Sequence, residues 1–306
     1  MFWFRYPLAI GITLALLIAL AGDGFAQRGV GVKGRGQATP YISGTFRALV
    51  IGNDKYNDPE GLWKPLKTAV NDARAVADVL KNQYGFGDVR LLLNATRRQM
   101  NKAINQITED SRKNDSVLIF YAGHGFLRES TKEGYWIPVD AEGRDDGTFY
   151  PNSTIKTKLA VLSDRAKHVL LVSDSCFSGA LLREGNRGIN IDQRNERYFR
   201  KVAAKKSVQI LAAGGLEFVD DNYKGTGHSP FTYFFLQELK TNTSGLLDAT
   251  ELSSAVVRNV ANNVQQSPEK GVLHGAGHEG GEFFFVRVSI GSSAPVTANV
   301  PKGPGK

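Results

Sequence analysis

Val117-Leu118-Ile119-Phe120-Tyr121-Ala122-Gly123-His124-Gly125 and Val169-Leu170-Leu171-Val172-Ser173-Asp174-Ser175-Cys176-Phe177-Ser178-Gly179 decide how this chain is read. Each opens with a short unbroken apolar run and ends in residues able to do chemistry. Runs of this length predict strands buried on both faces, as in a parallel or mixed sheet. In open α/β sheets, function gathers beyond the carboxyl ends of the strands. If the two strands are parallel neighbours, His124 and Cys176 leave the sheet on one rim. Cysteine attacks a carbonyl only as thiolate, so it needs a base or cation nearby. A histidine within reach supplies this and later protonates the leaving amine. Gly123 and Gly125 let the backbone come close to a substrate. The Gly125 and Cys176 amides are the candidate donors for a developing oxyanion.

Similar apolar runs stand at Ala48–Ile51, Val89–Leu93, Val208–Ala212 and Phe283–Val288. Helical patterns lie between them. Leu66, Ala69, Val70, Ala73, Val76, Ala77, Leu80 and Tyr84 keep one face, and Gly85 follows as a stop. Thr96-x-x-Gln99 is a capping box ahead of Met100, Ala103, Ile104 and Ile107. Ser229-Pro230 opens a helix through Lys240, and Asp248 or Thr250 opens another that turns Leu252, Val256, Val257 and Val260 inward. Strands alternating with helices predict a three-layer α/β/α sandwich around a mostly parallel mixed sheet. No repeat or second linker interrupts residues 46–290, so they read as one domain.

The single cysteine, Cys176, excludes a disulfide scaffold. The net charge of +8 would suit a nucleic-acid binder if it lay on the fold. Residues 1–45, 183–206 and 291–306 carry net +3, +5 and +2, which leaves the remainder at about −2. Nucleic acid is therefore not an expected partner. Residues 1–26 combine Arg5, an apolar run from Leu8 to Leu20 and small residues at Gly24 and Ala26, which reads as a secretory signal. The expected location is secreted or periplasmic. The run is short for a span of about 20 apolar residues, so an uncleaved membrane anchor is the weaker alternative. Residues 27–45 read as a Gly-rich linker. Their Gly29-x-Gly31-x-x-Gly34 lacks the strand and helix that a dinucleotide site needs. Residues 291–306, with three Pro and three Gly, read as a disordered tail.

Tyr121-Ala-Gly-His-Gly125 and Asp174-Ser-Cys-Phe-Ser-Gly179 resemble the His and Cys motifs of the caspase-like clan of cysteine peptidases, and most of all its bacterial metacaspase-type members. The resemblance runs from about Arg47 to Arg287. It takes in Asn71-Asp72-Ala73-Arg74, Gly214-Gly215-Leu216-Glu217, Gly227-His228-Ser229-Pro230-Phe231 and Gly275 to Glu282. It implies the caspase-like fold and an endopeptidase that works through His124, Cys176 and an acyl-enzyme. Caspases carry Gln-Ala-Cys-x-Gly and cut after Asp, whereas metacaspase-type enzymes cut after Arg or Lys with acidic pocket residues. The resemblance puts one of these at Asp174 and the second at Glu217, where the family has Asp. Asp220 and Asp221 follow closely and could take over. A carboxylate suits a guanidinium because the pair makes charge-assisted hydrogen bonds. Residues 183–206 read as a basic surface loop where the family is cut between its subunits. Arg187, Arg194, Arg197 and Arg200 are the candidate self-cleavage positions.

The other titratable residues have plainer readings. His168 reads as a partly exposed boundary residue, and His228 as a turn residue ahead of a helix. His274 and His278, with Glu279 and Glu282, have metal-like spacing only on a helix, which the five glycines of 271–281 forbid. That segment reads as a structured loop near the rim, with no metal expected. Paired acids at Asp145-Asp146 and Asp220-Asp221 could bind calcium, but the chemistry requires no cofactor. Expected partners are protein or peptide substrates. Two further readings share the residues. One is a non-catalytic module that uses the rim to bind a protein, and the other is a Cys-His hydrolase of non-peptide acyl groups.

Overall fold

The computed structural model describes residues 41–176, 181–182, 195–214 and 221–288. Five apolar segments form parallel strands: β1 (Phe46–Gly52), β2 (Asp88–Leu93), β3 (Ser116–Ala122), β7 (His168–Asp174) and β8 (Ser207–Ala212). With the antiparallel β10 (Glu269–Val272) they make a six-stranded sheet in the order β10-β8-β7-β3-β1-β2. Alternate residues of the strands face opposite layers. Ala48, Val50, Leu118, Phe120, Leu170 and Val172 meet α1 (Ala69–Gln83), α5 (Pro230–Thr241) and α6 (Ala249–Asn263). Leu49, Ile51, Val117, Ile119, Val169 and Leu171 meet α2 (Arg97–Asp110) and α3 (Asn152–Arg165). The three-layer sandwich is therefore as expected. Each fully buried Val, Leu, Ile or Phe in these layers stabilises it by about 1.5–3 kcal/mol.

Local signals set the helix starts. Thr96 caps α2 and Gln99 completes the box, worth about 1 kcal/mol. Ser229 accepts from Thr232 N–H ahead of Pro230. Asp248, rather than Thr250, caps α6. Gly85 takes φ +60° beyond α1, where a side chain would be strained.

Several expectations are corrected. β2 is an edge strand, not buried on both faces, and Leu91 is 40% exposed. The Phe283–Val288 run is outside the main sheet. Its β11 (Phe284–Val286) pairs with β9 (Leu246–Asp248) in a separate two-stranded sheet. A third sheet joins β4 (Gly125–Arg128), β5 (Glu133–Trp136) and β6 (Tyr150–Pro151). The stretch read as a basic loop contains α4 (Glu196–Ala203), whose Phe199 ring packs edge-on against Phe284 at 5.9 Å. Tyr41 and Ile42, within the segment read as linker, join that cluster. His168 is 2% exposed, because it begins β7 between neighbouring strands. Its ring lies 3.2 Å from Ser116 Oγ and 3.1 Å from the Ala203 carbonyl. Burial lowers its pKa to about 4. The His274–Glu282 segment is at the end of the sheet opposite the Cys176 rim. Val208 N–H, at the start of β8, donates to His278 Nδ1, and Glu279 N–H donates to the Lys206 carbonyl.

No helix among the described residues is long and apolar enough to cross a membrane. The segments read as signal and tail, and the linker up to residue 40, lie outside the described residues.

Candidate active site

β3 and β7 are parallel neighbours in register up to Ala122 opposite Asp174. His124 and Cys176 each stand two residues beyond that pair, so the sheet delivers both to one rim. Gly123 N–H donates to the Asp174 carbonyl at 3.2 Å and extends the ladder one step. The two turns then touch. A Cβ on Gly125 would lie 1.9 Å from the Cys176 carbonyl oxygen, and one on Gly123 would lie 2.6 Å from the Tyr121 hydroxyl and 2.8 Å from that of Tyr56. Neither glycine has a positive φ, so close approach, not backbone conformation, requires them.

The His124 backbone is held on both sides. Its N–H donates to the Tyr56 hydroxyl at 2.8 Å, and that hydroxyl donates to the Asn53 carbonyl at 3.1 Å. Its carbonyl accepts from Ile137 N–H at 3.0 Å, with the Tyr121 hydroxyl at 2.9 Å. Asn53, fully buried, ties the same turns together. Its Oδ1 accepts from Ala95 N–H, and its Nδ2 points to the Ala95 and Ile137 carbonyls. The imidazole is flanked by Tyr56 at 4.7 Å and Trp63 at 5.8 Å. Its Nε2 lies 2.7 Å from the Lys64 carbonyl. A carbonyl can only accept, so Nε2 carries the proton and Nδ1 remains as the base.

Burial lowers the His124 pKa, and burial together with the Asp174 charge raises that of Cys176. Both shifts favour a resting thiol beside a neutral imidazole rather than a preformed ion pair. Gly125 pairs with Trp136 across β4 and β5. The Ile137-to-His124 bond marks this as a non-hydrogen-bonded pair, which turns Gly125 N–H away from β5. The Cys176 amide stands 3.2 Å from the Gly125 Cβ position.

Asp174 ends β7 half-buried. Its Oδ2 accepts from Ser229 Oγ and Thr232 Oγ1, both at 2.5 Å. Burial and the charge of Asp72 raise its pKa to about 7. Asp72, 1% exposed, accepts from Ser229 N–H at 3.3 Å, and its Oδ1 lies 2.6 Å from His228 Nδ1. Burial lifts Asp72 above the usual carboxylate range. Asp221 accepts from Thr68 Oγ1 at 2.9 Å and from Lys67 N–H. Its charge acts on both His124 and Asp174. Three carboxylates, Asp72, Asp174 and Asp221, therefore gather near His124 and Cys176.

Of the residues expected at the site, His124, Cys176, Gly125 and Asp174 come together, while Glu217 lies outside the described residues. Asp72 received no role from the sequence, although a carboxylate inside the apolar stripe of α1 was a readable signal. The Lys64 carbonyl had none, being backbone. His228 is a hydrogen-bond partner of Asp72, more than a turn residue. Arg187 and Arg194 lie outside the described residues. Arg197 and Arg200 are not in a loop but on α4, where Arg200 pairs with Glu196 at 2.9 Å. Asp145 caps its own turn through Gly147 N–H, and Asp146 pairs with Arg128. Among the described residues no cluster of three or more His, Cys, Asp or Glu is arranged for a metal. Glu282 is turned inside, where it accepts from Gln209 Nε2 (2.7 Å), Thr250 N–H (3.0 Å) and Thr250 Oγ1 (2.7 Å).

Comparison with known proteins gives this geometry a context. The family model described as "Caspase domain" matches residues 45–273. Metacaspase-1 of Saccharomyces cerevisiae is 26% identical over 174 residues, 49% of this chain and 38% of that protein. Metacaspase-6 of Arabidopsis thaliana is 24% identical over 163 residues, 47% of this chain and 40% of that protein. Metacaspase-1 of Plasmodium falciparum is 29% identical over 153 residues, 44% of this chain and 24% of that protein. The chain thus matches well under half the length of these relatives. A crystal structure of a Geobacter sulfurreducens protein has the same fold, with a TM-score of 0.51 and 18% identity over 74% of this chain and 93% of the other.

Proposed function

Since the chain belongs to the caspase family and carries its cysteine-peptidase domain, we propose that it is a secreted or periplasmic endopeptidase that cuts after Arg or Lys. The supporting observation is the juxtaposition of His124 and Cys176 two residues beyond the Ala122–Asp174 pair, beside three carboxylates. The substrate's basic side chain sits toward Asp174, with Asp72 and Asp221 adding negative potential. Its scissile carbonyl oxygen points at the Gly125 and Cys176 amides. As Sγ attacks the carbonyl carbon, its proton passes to His124 Nδ1, and the Lys64 carbonyl stabilises the imidazolium through Nε2–H. The tetrahedral oxyanion draws on the two amides. His124 then protonates the departing amine, the C–N bond breaks, and the acyl chain remains on Cys176. Water, deprotonated by His124, releases the acid and restores the thiol. No cofactor takes part in these steps, and calcium is an experimental variable.

Peptide reporters ending in Arg, Lys or Asp, assayed with and without calcium, test the reading. Arg and Lys reporters should turn over, the Asp reporter should not, and Cys176→Ala should abolish turnover with the fold intact. Asp174→Asn should reduce cleavage after Arg far more than it reduces stability. Equal rates on Arg and uncharged reporters would remove Asp174 from the pocket. N-terminal sequencing should find the mature chain starting at or near Gln27; Met1 would favour the anchor.

A further inference from the structure

The specificity carboxylate and the nucleophile are only two residues apart at the end of one strand, so their α-carbons lie within about 7 Å. Asp174 takes both of its hydroxyl donors on Oδ2, from Ser229 and Thr232. Oδ1 takes no hydrogen bond from any described residue. Asp72 and Asp221 add negative charge from α1 and from the turn before α5. Among the described residues no Lys or Arg forms an ion pair with any of the three carboxylates. The one imidazole in contact, His228, is committed to Asp72. His124 rests as a neutral base against the Lys64 carbonyl. Among the described residues the nearest charge, Asp174, opposes a thiolate on Cys176, and only the cysteine's own backbone N–H favours one.

We propose that Asp174 is an electrostatic gate on Cys176: the empty pocket holds the thiol protonated, and a guanidinium or ammonium seated on Asp174 lets the thiol pass its proton to His124. This regulation rests on the reading of Asp174 as the basic-specificity residue. One carboxylate would then both select the substrate and switch on the nucleophile, and the thiol would stay unreactive between substrates. The burial and Asp174 charge that raise the Cys176 pKa agree with this. A unit charge at about 7 Å, in an effective dielectric of about 20, changes the thiolate population about fifty-fold. Solvent around a half-buried carboxylate reduces that, so the effect to look for is about tenfold. Among the described residues the titratable groups facing this pair are Asp72, Asp221, His228, His124 and Tyr121. Because burial and the Asp72 charge raise the Asp174 pKa to about 7, the carboxylate is mostly ionised at pH 8, and the gate should weaken below pH 7 as Asp174 takes up its own proton.

Cys176 is the only cysteine of the chain, so alkylation reads this site alone. The thiolate displaces iodide from iodoacetamide, an S–C bond forms, and the thiol proton stays on His124 or goes to solvent. The full chain is alkylated at pH 8 with increasing butylguanidinium, a cation with the side chain's charge and no carbonyl to attack. The gate predicts a saturable acceleration of about tenfold. Asp174→Asn, checked for folding by circular dichroism, should be alkylated faster than the parent without cation and should not respond to it. If butylguanidinium competes with the Arg reporter yet leaves alkylation unchanged or slows it, the gate is wrong and the specificity reading stands. If it does not compete at all, the specificity reading fails and the gate with it.

Discussion

Gly125→Ala is the smallest change that strikes the site without touching a catalytic side chain. The added Cβ would sit 1.9 Å from the Cys176 carbonyl oxygen, against an ordinary carbon–oxygen contact of about 3.3 Å. One of the turns must give by about 1.4 Å, and the atom in the way is backbone, which cannot rotate aside. The φ of Gly125 is not positive, so the backbone conformation itself costs nothing and the steric effect stands alone. Overpacking of this kind costs about 1–3 kcal/mol of stability. The effect on rate should be larger. A misplacement of about 1 Å costs on the order of 10²-fold, and loss of one oxyanion donor about 10²- to 10³-fold in kcat. Steady-state assay on an Arg reporter should show kcat down at least 10²-fold, while thermal unfolding stays cooperative. Gly245→Ala is the control, because its Cβ meets nothing within 4 Å and its φ is not positive. A Gly125→Ala enzyme with kcat within threefold of the parent would refute the contact between the two turns and the oxyanion role of the Gly125 amide.

Tyr56→Phe keeps the ring beside His124 and removes the acceptor of its N–H. Stability should fall by about 1–3 kcal/mol, and kcat should fall more than KM rises, as steady-state kinetics would read. Glu282 has its pKa raised to about 7 by burial and the Asp248 charge. The folded state then keeps a proton that the unfolded chain releases above about 4.5, so this group's stabilisation is present below pH 4.5 and lost as pH rises to 7. The loss is about 3 kcal/mol, and Glu282→Gln should be more stable than the parent at pH 8 but not at pH 4.5 in denaturant melts. Self-processing should cut at Arg187 or Arg194 and spare Arg197 and Arg200, whose bonds lie within α4. Mass spectrometry of the parent against Cys176→Ala checks this, and identical fragments from both would assign the cut to another protease.

The parts of the fold legible in the sequence were those where one short segment carries its own signal. The runs of β1, β3, β7 and β8 are apolar on both faces because helices cover both, and the Thr96–Gln99 box marks a helix start within four residues. β10 was missed because Glu269-Lys-Gly-Val272 is an edge strand, with too little buried surface to leave an apolar run. α3 was missed although Ile155, Leu159 and Leu162 lie on one helical face, since Lys and Ser dilute the stripe. α4 looked like a charged loop because only Val202 and Ala203 of its eight residues are buried. The placement of His124 and Cys176 on one rim was legible because each closely follows a buried strand. The gathering of Asp72, Asp174 and Asp221 was not, because α1, β7 and the turn before α5 meet only through the folded sheet.

Labelling the full chain with an Arg-terminated chloromethyl ketone peptide, read by intact-mass and peptide mass spectrometry, tests the central claim most directly. His124 and Cys176 on one rim beside Asp174 predict a single adduct on Cys176. Labelling should be lost in Cys176→Ala, strongly slowed in His124→Ala, and much slower with an Asp-terminated analogue. No adduct on Cys176, or equal labelling by the Arg and Asp peptides, would contradict the account.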